Sequence, residues 1–247
     1  MEPFQIRIAG LVAQVQPLFE TTAVYFRNYM TDEAASFRVT ITEDDLAFEQ
    51  NMLDEEAKEE GMKLRKFTLP FLERAAIQRK IAEELLKQDT FLLHGSTVAV
   101  DGKAYLFTAA CGTGKSTHTR LWKEAFGDRT VMINDDKPFL QITEDGVIAY
   151  GSPWSGKHGL DTNTAAPLKG ICILCRGEKN TIRRIGASDA MEMLHHQSYV
   201  SKGAASRKKV YDLVNRVAEC VPLWEMHCTK ELDAARISYR LMSGTAL

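Results

Sequence analysis

Apolar and polar residues alternate in two stretches among the first 42 residues. FQIRIAG, which starts at residue 4, and SFRVTIT, which starts at residue 36, both have the two-residue period of a half-buried strand. The next stretch, TEDDLAFEQNMLDEEAKEEG, has acidic residues near its start and ends at Gly61, as an α-helix does. A second helix is predicted from Pro70, because Ile77, Ile81 and Leu85 recur at a four-residue spacing.

From residue 90 onward the pattern changes to short apolar runs separated by turns. STVAV and KAYLF flank Asp101-Gly102, and FLQIT and VIAYG flank Asp145-Gly146, so each set predicts a hairpin with a two-residue turn. LKGICILC is nearly all apolar, which is typical of a central strand. The carboxy-terminal part alternates predicted helices with one strand, in the order SDAMEMLHHQ, KKVYDLVNRVAEC, PLWEMHC and ELDAARISYRLM.

These elements predict an α/β protein with a mixed β-sheet flanked by helices. We place a small β-rich amino-terminal section in residues 1–66, packed on a larger domain in residues 67–247. No stretch rich in Pro, Gly or Ser marks that boundary.

Composition and charge narrow the classes of partner. The formal net charge of −2 gives no reason to expect nucleic acid or an anionic membrane. The opening MEPFQIRIAG lacks the features of a secretory signal, and no apolar run approaches the roughly 20 residues of a spanning helix. Five cysteines without an even-spaced framework indicate reduced thiols, so we expect a cytoplasmic protein.

The stretch AACGTGKST, residues 109–117, matches a phosphate-binding loop of the Walker A type, and we call it the phosphate loop. Ala109 stands where the pattern usually has glycine. Gly112 and Gly114 allow turns that point backbone N–H groups at phosphate oxygens, and the following helix adds its positive end. Lys115 would reach the β- and γ-phosphates, while the Ser116 hydroxyl suits Mg²⁺. The predicted nucleotide-binding residues are Ala110, Cys111, Gly112, Thr113, Gly114, Lys115, Ser116 and Thr117.

The first hairpin brings a histidine to the phosphate loop. Counting back from Asp101-Gly102 places His94 opposite Ala109, although a structural or exposed histidine is the alternative. The strand TVMIN should run parallel to KAYLF and end at the same edge of the sheet with Asp135 and Asp136. One of these carboxylates would hold Mg²⁺, and the other could accept a proton from an incoming hydroxyl.

The second hairpin brings another loop to the same edge. Counting from Asp145-Gly146 places Ser155 opposite Asp136, so that SPWSGKHG, residues 152–159, returns to the site. Lys157 would then provide a mobile positive charge for the transferred phosphoryl group or for the acceptor. An exposed surface lysine is the alternative.

The stretches LLHGSTVAVDGKAYLFTAACGTGKST and INDDKP together resemble the catalytic core of the HPr kinase/phosphorylase superfamily. Its fold is similar to the nucleotide-binding part of phosphoenolpyruvate carboxykinases. GSPWSGKHG, APLKGICILCRG and the opening FQIRIAGLVAQV look like a subgroup of HPr-kinase-like proteins found beside peptide-modifying enzymes. The resemblance covers most of the chain, with specific motifs in residues 91–177. The glutamate-containing, glycine-rich signature of true HPr kinases is not found, which counts against HPr as the acceptor.

The resemblance implies a P-loop kinase that uses ATP, or alternatively GTP, with Mg²⁺. It would transfer the γ-phosphoryl group to a hydroxyl, in the first instance a serine of a peptide or protein. The resemblance implies Asp135 as the proton acceptor and Asp136, with Ser116, as the metal ligands. The predicted catalytic residues are His94, Lys115, Asp135 and Lys157.

Two other functions stay open at this point. One is a kinase of small-metabolite alcohols on the same fold, and the other is a nucleotide-binding sensor without transfer activity. Nucleic acid and membranes are not expected partners. A homo-oligomer is compatible with the resemblance, but nothing in the residues counts subunits.

Overall fold

The computed structural model of the chain describes residues 1–59 and 61–244. Two short 3₁₀ turns, Arg27–Tyr29 and Gly127–Arg129, lie between its longer elements. The strands are β1 (Phe4–Ile8), β2 (Leu11–Gln16), β3 (Phe37–Thr40), β4 (Thr90–Leu92), β5 (Ser96–Val100), β6 (Lys103–Thr108), β7 (Thr130–Asn134), β8 (Phe139–Thr143), β9 (Gly146–Tyr150), β10 (Ala165–Arg176), β11 (Thr181–Ile185) and β12 (Leu223–Cys228). The helices are α1 (Thr21–Tyr25), α2 (Glu43–Glu59), α3 (Leu69–Leu86), α4 (Lys115–Phe126), α5 (Ala187–Gln197), α6 (Ala204–Cys220) and α7 (Asp233–Ser243).

Two sheets organise the described residues. The small sheet has the order β1-β2-β3. The large sheet runs β4-β8-β9-β10-β6-β5-β7, with β12 beside β10 and β11 beside β12. It is mixed, because β10 is parallel to β6 and β12 but antiparallel to β9. The predicted fold class, a mixed β-sheet flanked by helices with a small β-rich amino-terminal section, is confirmed.

The apolar faces of the helices explain the layers of the second half of the chain. Side chains of α4 and α7, including Trp122 and Tyr239, share one buried cluster with β6 and β10. Side chains of α5 and α6, including Leu194 and Val214, belong to a second buried cluster on the sheet. Successive residues of a strand point to opposite faces, so β6 and β10 contribute to both clusters. The helices therefore pack on the faces of the sheet, and the loops lie at the ends of its strands.

Contacts divide the chain into two compact units, Met1–Leu85 and Leu86–Leu247. The boundary predicted from the sequence lies between residues 66 and 67, which assigns α3 to the second domain. Polar contacts join α3 to the first unit instead. Arg79 on α3 donates to Asp45 at 2.9 Å and to Glu49 at 2.6 Å, both on α2. The buried Glu73 accepts hydrogen bonds from Leu18 N and Thr22 Oγ1.

We expect Asp45→Asn to destabilise the first unit by about 2 kcal/mol at neutral pH. Burial raises the pKa of Asp45, but hydrogen bonds outweigh it and lower the pKa from 3.8 to about 2; the donors are Lys80, Thr42 and Arg79. Because the folded-state pKa is depressed, this stabilisation is present above the unfolded value and is lost as the pH falls towards the folded value. Urea denaturation followed by circular dichroism between about pH 7 and about pH 3 measures the difference.

Asp44→Asn is the matched control for this prediction. Asp44 is the neighbouring residue in the first turn of α2, and its side chain is exposed. The variant should leave stability within about 0.5 kcal/mol of the original protein. A destabilisation by Asp45→Asn that does not shrink at low pH would show that its charge contributes nothing.

The first hairpin has the predicted register, with Val100 opposite Lys103. Asp101 has φ 51° and Gly102 has φ 73°, which is the paired positive φ of a tight two-residue turn. The second hairpin does not have the predicted register. Thr143 pairs with Gly146, so the turn residues are 144 and 145, and Ser155 does not fall opposite Asp136.

The backbone explains this error. Gly146 has φ 130°, whereas neither residue 144 nor residue 145 has a positive φ. The glycine therefore follows a turn of ordinary residues instead of forming part of it. The dipeptide Asp-Gly has the same sequence in both hairpins, and the loop around it decides which turn it forms.

Candidate active site

The phosphate loop joins β6 to α4, and its glycines have the backbone that the sequence requires of them. Gly112 has φ 73° and Gly114 has φ 125°, values at which an L-side chain is strained. Ala109 is fully buried and does not have a positive φ, so a methyl group is accommodated where the pattern usually has glycine. Among the described residues, no group accepts a hydrogen bond from the backbone N–H of Gly112 or Gly114. These donors are available to an anion.

Lys115 lies in the first turn of α4 and folds back over the phosphate loop. Its Nζ donates to the carbonyl oxygen of Ala109 at 3.0 Å. Burial lowers the pKa of Lys115, and the opposing influences of Cys111, Asp136 and Asp135 reduce that shift without reversing it. The Ser96 hydroxyl lies 2.8 Å from both Asp135 and Thr119 on α4, which places the start of α4 and the acidic pair at one edge of the sheet.

Asp135 follows β7 and is almost completely buried, with 4% exposure. Ser96 on β5 donates to its Oδ1 at 2.8 Å. The Ser96 hydroxyl is also 2.8 Å from the hydroxyl of Thr119 on α4, and it accepts there because its proton is directed at Asp135. The second oxygen, Asp135 Oδ2, is buried without a hydrogen-bond partner among the described residues. A buried carboxylate oxygen of this kind is unfavourable unless a ligand or a proton completes it.

Asp136 is more exposed and belongs to a different network. The Nε2 of His94 donates to its Oδ1 at 3.1 Å. Burial raises the pKa of Asp136, but the hydrogen bond from His94 and the charges of Lys137, His94 and Lys115 outweigh burial, so the pKa lies below its usual value. The Oδ1 of Asn134 accepts from the backbone N–H of Asp136 at 2.7 Å and holds the turn in place. Asp136 is thus kept ionised beside Lys115.

Residues 151–160, which we call the Gly156 loop, return to Asp135, as predicted from a register that proved wrong. Leu160 accepts from the backbone N–H of Asp135 at 3.0 Å. A Cβ on Gly156 would lie 3.6 Å from Asp135 Oδ2, so this glycine covers the unpaired oxygen. The backbone of Gly151 packs so closely against Thr162 that a Cβ there would lie 1.9 Å from the carbonyl oxygen of Thr162, which excludes any side chain. Lys157 is exposed in this loop and makes no hydrogen bond or ion pair with a described residue.

The structure thus brings most of the predicted site residues together. One edge of the sheet holds the phosphate loop with Lys115, the His94–Asp136 pair and Asp135. Lys157 is exposed to solvent in the Gly156 loop. Ser116 lies in the first turn of α4, directly after Lys115. Within residues 1–59 and 61–244, no group of three or more His, Cys, Asp or Glu side chains could by itself hold a metal ion.

Three residues that contact the predicted site residues were not predicted from the sequence. Ser96 and Thr119 orient Asp135, and the guanidinium of Arg176 donates to the carbonyl oxygen of Gly112 at 2.7 Å. The register of the first hairpin contained a signal for Ser96, because Ser96 begins β5 two residues after His94. Arg176 is the last residue of β10, and only the parallel pairing of β10 with β6 places it beside the phosphate loop.

No helix among the described residues has both the length and the apolar character needed to cross a membrane.

Comparisons with known proteins give similarities to solved structures. No family model matches the sequence, and no curated protein matches it. Among solved structures, the Hpr(Ser) kinase/phosphatase from Coxiella burnetii is similar, with a TM-score of 0.37 and 11% identity over 62% of this chain and 93% of that chain.

Proposed function

We propose that this chain is a phosphotransferase that moves the γ-phosphoryl group of a nucleoside triphosphate to a hydroxyl acceptor. The single observation that supports it most is that the Ser96 hydroxyl contacts both Asp135 and Thr119 on α4, at 2.8 Å each, so that the helix that begins at Lys115 and the acidic pair share one edge. Binding of a phosphate chain alone requires only the first of these features. A paired carboxylate beside it fits a reaction in which a hydroxyl loses a proton and a phosphoryl group is transferred.

The residues of this edge fit a nucleotide and Mg²⁺. The backbone N–H groups of Gly112 and Gly114 have no acceptor among the described residues, and Asp135 Oδ2 is buried without a partner. The Ser116 hydroxyl and the carboxylate of Asp136 are the hard oxygen ligands that Mg²⁺ prefers. Bound there, the ion would neutralise charge on the phosphates. We assign ATP as the donor, with GTP as the alternative.

We assign Asp135 as the proton acceptor and Asp136 as the metal ligand. Ser96 occupies Asp135 Oδ1, so Oδ2 is the oxygen that can take a proton. The acceptor hydroxyl would transfer its proton to Oδ2 while its oxygen bonds to the γ-phosphorus. The bond between that phosphorus and the bridging oxygen breaks, and the nucleoside diphosphate leaves with the electron pair.

The remaining side chains position or stabilise charge in this proposal. His94 holds Asp136 through its hydrogen bond of 3.1 Å, which keeps the carboxylate oriented and ionised. Lys115 would bind the β- and γ-phosphates, and release of its bond to Ala109 makes its ammonium group available. Lys157, exposed in the Gly156 loop, would reach the transferred phosphoryl group when that loop closes on the acceptor.

The cover of Gly156 over Asp135 favours a slender acceptor. A primary hydroxyl on a thin side chain, such as a serine of a peptide or protein, can reach a buried carboxylate once the loop shifts. A small-metabolite alcohol fits the same constraint and is the second candidate. A nucleotide sensor without transfer has no use for the unpaired oxygen of Asp135, so that observation counts against it.

The test is a transfer assay with triphosphates labelled at the γ-phosphate. The full chain is incubated with labelled ATP or GTP and Mg²⁺, together with a serine-containing peptide library or a panel of small alcohols. We expect label in an acceptor and its loss when Mg²⁺ is chelated. Label in peptides supports the serine kinase, and label in alcohols alone supports the metabolite kinase. Tight binding of nucleotide without transfer to any acceptor would leave the sensor as the function.

A further inference from the structure

Arg176 lies at the end of β10, beside the phosphate loop. β10 runs parallel to β6 and pairs with it as far as Ile173 opposite Thr108. The same register continued by three residues places Arg176 level with Cys111 in the phosphate loop. In the sheet, β10 lies on one side of β6, while β5 and β7 lie on the other. The phosphate loop therefore has an arginine on one flank and the two aspartates on the opposite flank.

The guanidinium of Arg176 already reaches the phosphate loop. Its Nη2 donates to the carbonyl oxygen of Gly112 at 2.7 Å, and the residue is exposed. A guanidinium has five N–H donors in a planar fork, so donors remain for a second partner. Among the described residues, no carboxylate forms an ion pair with Arg176. An arginine charge without a counter-ion, next to backbone donors that lack acceptors, is an arrangement suited to an anion.

We propose that Arg176 binds the phosphate chain of the nucleotide from the flank opposite to the aspartates. The inference rests on the proposed function and deepens it, since it divides the site by charge. The acceptor and the transferred phosphoryl group lie on the flank of Asp135, and the phosphates that are not transferred extend towards β10. Rotation of the exposed side chain exchanges the carbonyl oxygen of Gly112 for phosphate oxygens, which a guanidinium can bind through two parallel hydrogen bonds.

The alternative role is purely structural, in which Arg176 only supports the loop through Gly112. Three substitutions separate the two roles. Arg176→Ala removes both the hydrogen bond and the charge. Arg176→Gln keeps a neutral N–H donor for the carbonyl oxygen, and Arg176→Lys keeps the charge without the planar fork. Support of the loop would be preserved best by a donor, whereas phosphate binding would be preserved best by a positive charge.

The test is calorimetric titration of the full chain with the Mg²⁺ complexes of ADP and of a non-hydrolysable ATP analogue. We expect Arg176→Ala to weaken binding of both by about tenfold or more, Arg176→Gln to weaken it similarly, and Arg176→Lys to recover part of the loss. Arg240→Ala is the matched control, because Arg240 is exposed in the last turn of α7 and follows Tyr239, which contacts Asp101 at the end of β6 opposite to the phosphate loop; this variant should bind normally. Circular dichroism and thermal unfolding of each variant check that the fold is intact.

The outcomes distinguish this inference from the function on which it rests. If the unsubstituted chain binds neither nucleotide, the proposed function fails and the role of Arg176 fails with it. If the unsubstituted chain binds but Arg176→Ala binds equally well, the inference alone is overturned. Binding by Arg176→Gln as tight as that of the unsubstituted chain overturns it too, because a neutral donor would then suffice.

Discussion

Replacement of Lys115 by alanine is expected to lower kcat/KM for phosphoryl transfer by about 100- to 1,000-fold. Lys115 is half-buried at the start of α4, and its ammonium group lies within electrostatic range of Asp135 and Asp136. Its removal leaves the developing charge on the γ-phosphoryl oxygens without its nearest fixed cation. Within the protein, the substitution removes the hydrogen bond from Lys115 Nζ to the carbonyl oxygen of Ala109, so the fold should persist. Initial rates with labelled triphosphate, and thermal unfolding of the same samples, measure both effects.

Lys103→Ala is the matched control for this experiment. Lys103 is exposed at the other end of β6, the strand that leads into the phosphate loop. The substitution removes the same charge at a distance from the site, so transfer should stay within about twofold of the original rate. Equal losses in the two variants would mean that Lys115 acts only through net charge. Undiminished transfer by Lys115→Ala would contradict the proposed phosphate site.

Asp135→Asn is expected to slow transfer by about 100- to 10,000-fold, which is the range that general-base catalysis contributes. Asparagine has the shape of aspartate, and its Oδ1 can still accept from Ser96, so packing around the buried position should survive. The nitrogen that replaces Oδ2 cannot take a proton from the acceptor. Nucleotide affinity should therefore change little while kcat falls. Single-turnover rates and calorimetric affinities for a non-hydrolysable analogue separate these two quantities.

Asp136→Asn is the comparison that tests the division of roles. Asp136 is held by His94 and is kept ionised, so its loss should raise the Mg²⁺ concentration needed for half-maximal rate, and excess Mg²⁺ should restore part of the activity. Asp135→Asn should not respond to excess Mg²⁺. If Asp135→Asn transfers normally while Lys115→Ala is inactive, the assignment of the base is wrong. A reversal of the two responses to Mg²⁺ would exchange the roles of the aspartates.

Local sequence patterns determined the elements and the phosphate loop. Residues 109–117 lie between a strand and a helix and contain the motif Gly-Lys-Ser. This pattern requires a tight glycine turn before the helix, and Gly112 and Gly114 have the positive φ that such a turn needs. The first hairpin followed from its turn, because Asp101 and Gly102 fix both the turn and every pair along the ladder. Because pairing in a hairpin is set by residues close in sequence, His94 could be placed opposite the loop without a structure.

Contacts between residues distant in sequence were decided by the tertiary structure alone. Asp145-Gly146 has the same sequence as the first turn, yet the pairing of β8 with β9 shifts the turn to residues 144 and 145. Helix α3 joins the first unit because Arg79 and Glu73 find their partners there, and nothing in the local pattern of α3 specifies those partners. Side-chain periodicity shows which face of an element is buried, but it does not show what that face packs against.

The chemical components of this protein could be read from the sequence: an α/β chain with a glycine turn of the phosphate-loop pattern, a histidine and two adjacent carboxylates. The tertiary structure decided how they differ, since only the fold buries Asp135 under Gly156 and beside Ser96 while it leaves Asp136 to His94. It also brought Arg176 to the loop from a strand more than sixty positions later in the chain. Burial and parallel pairing depend on contacts across the whole sheet, and no short stretch of sequence contains them.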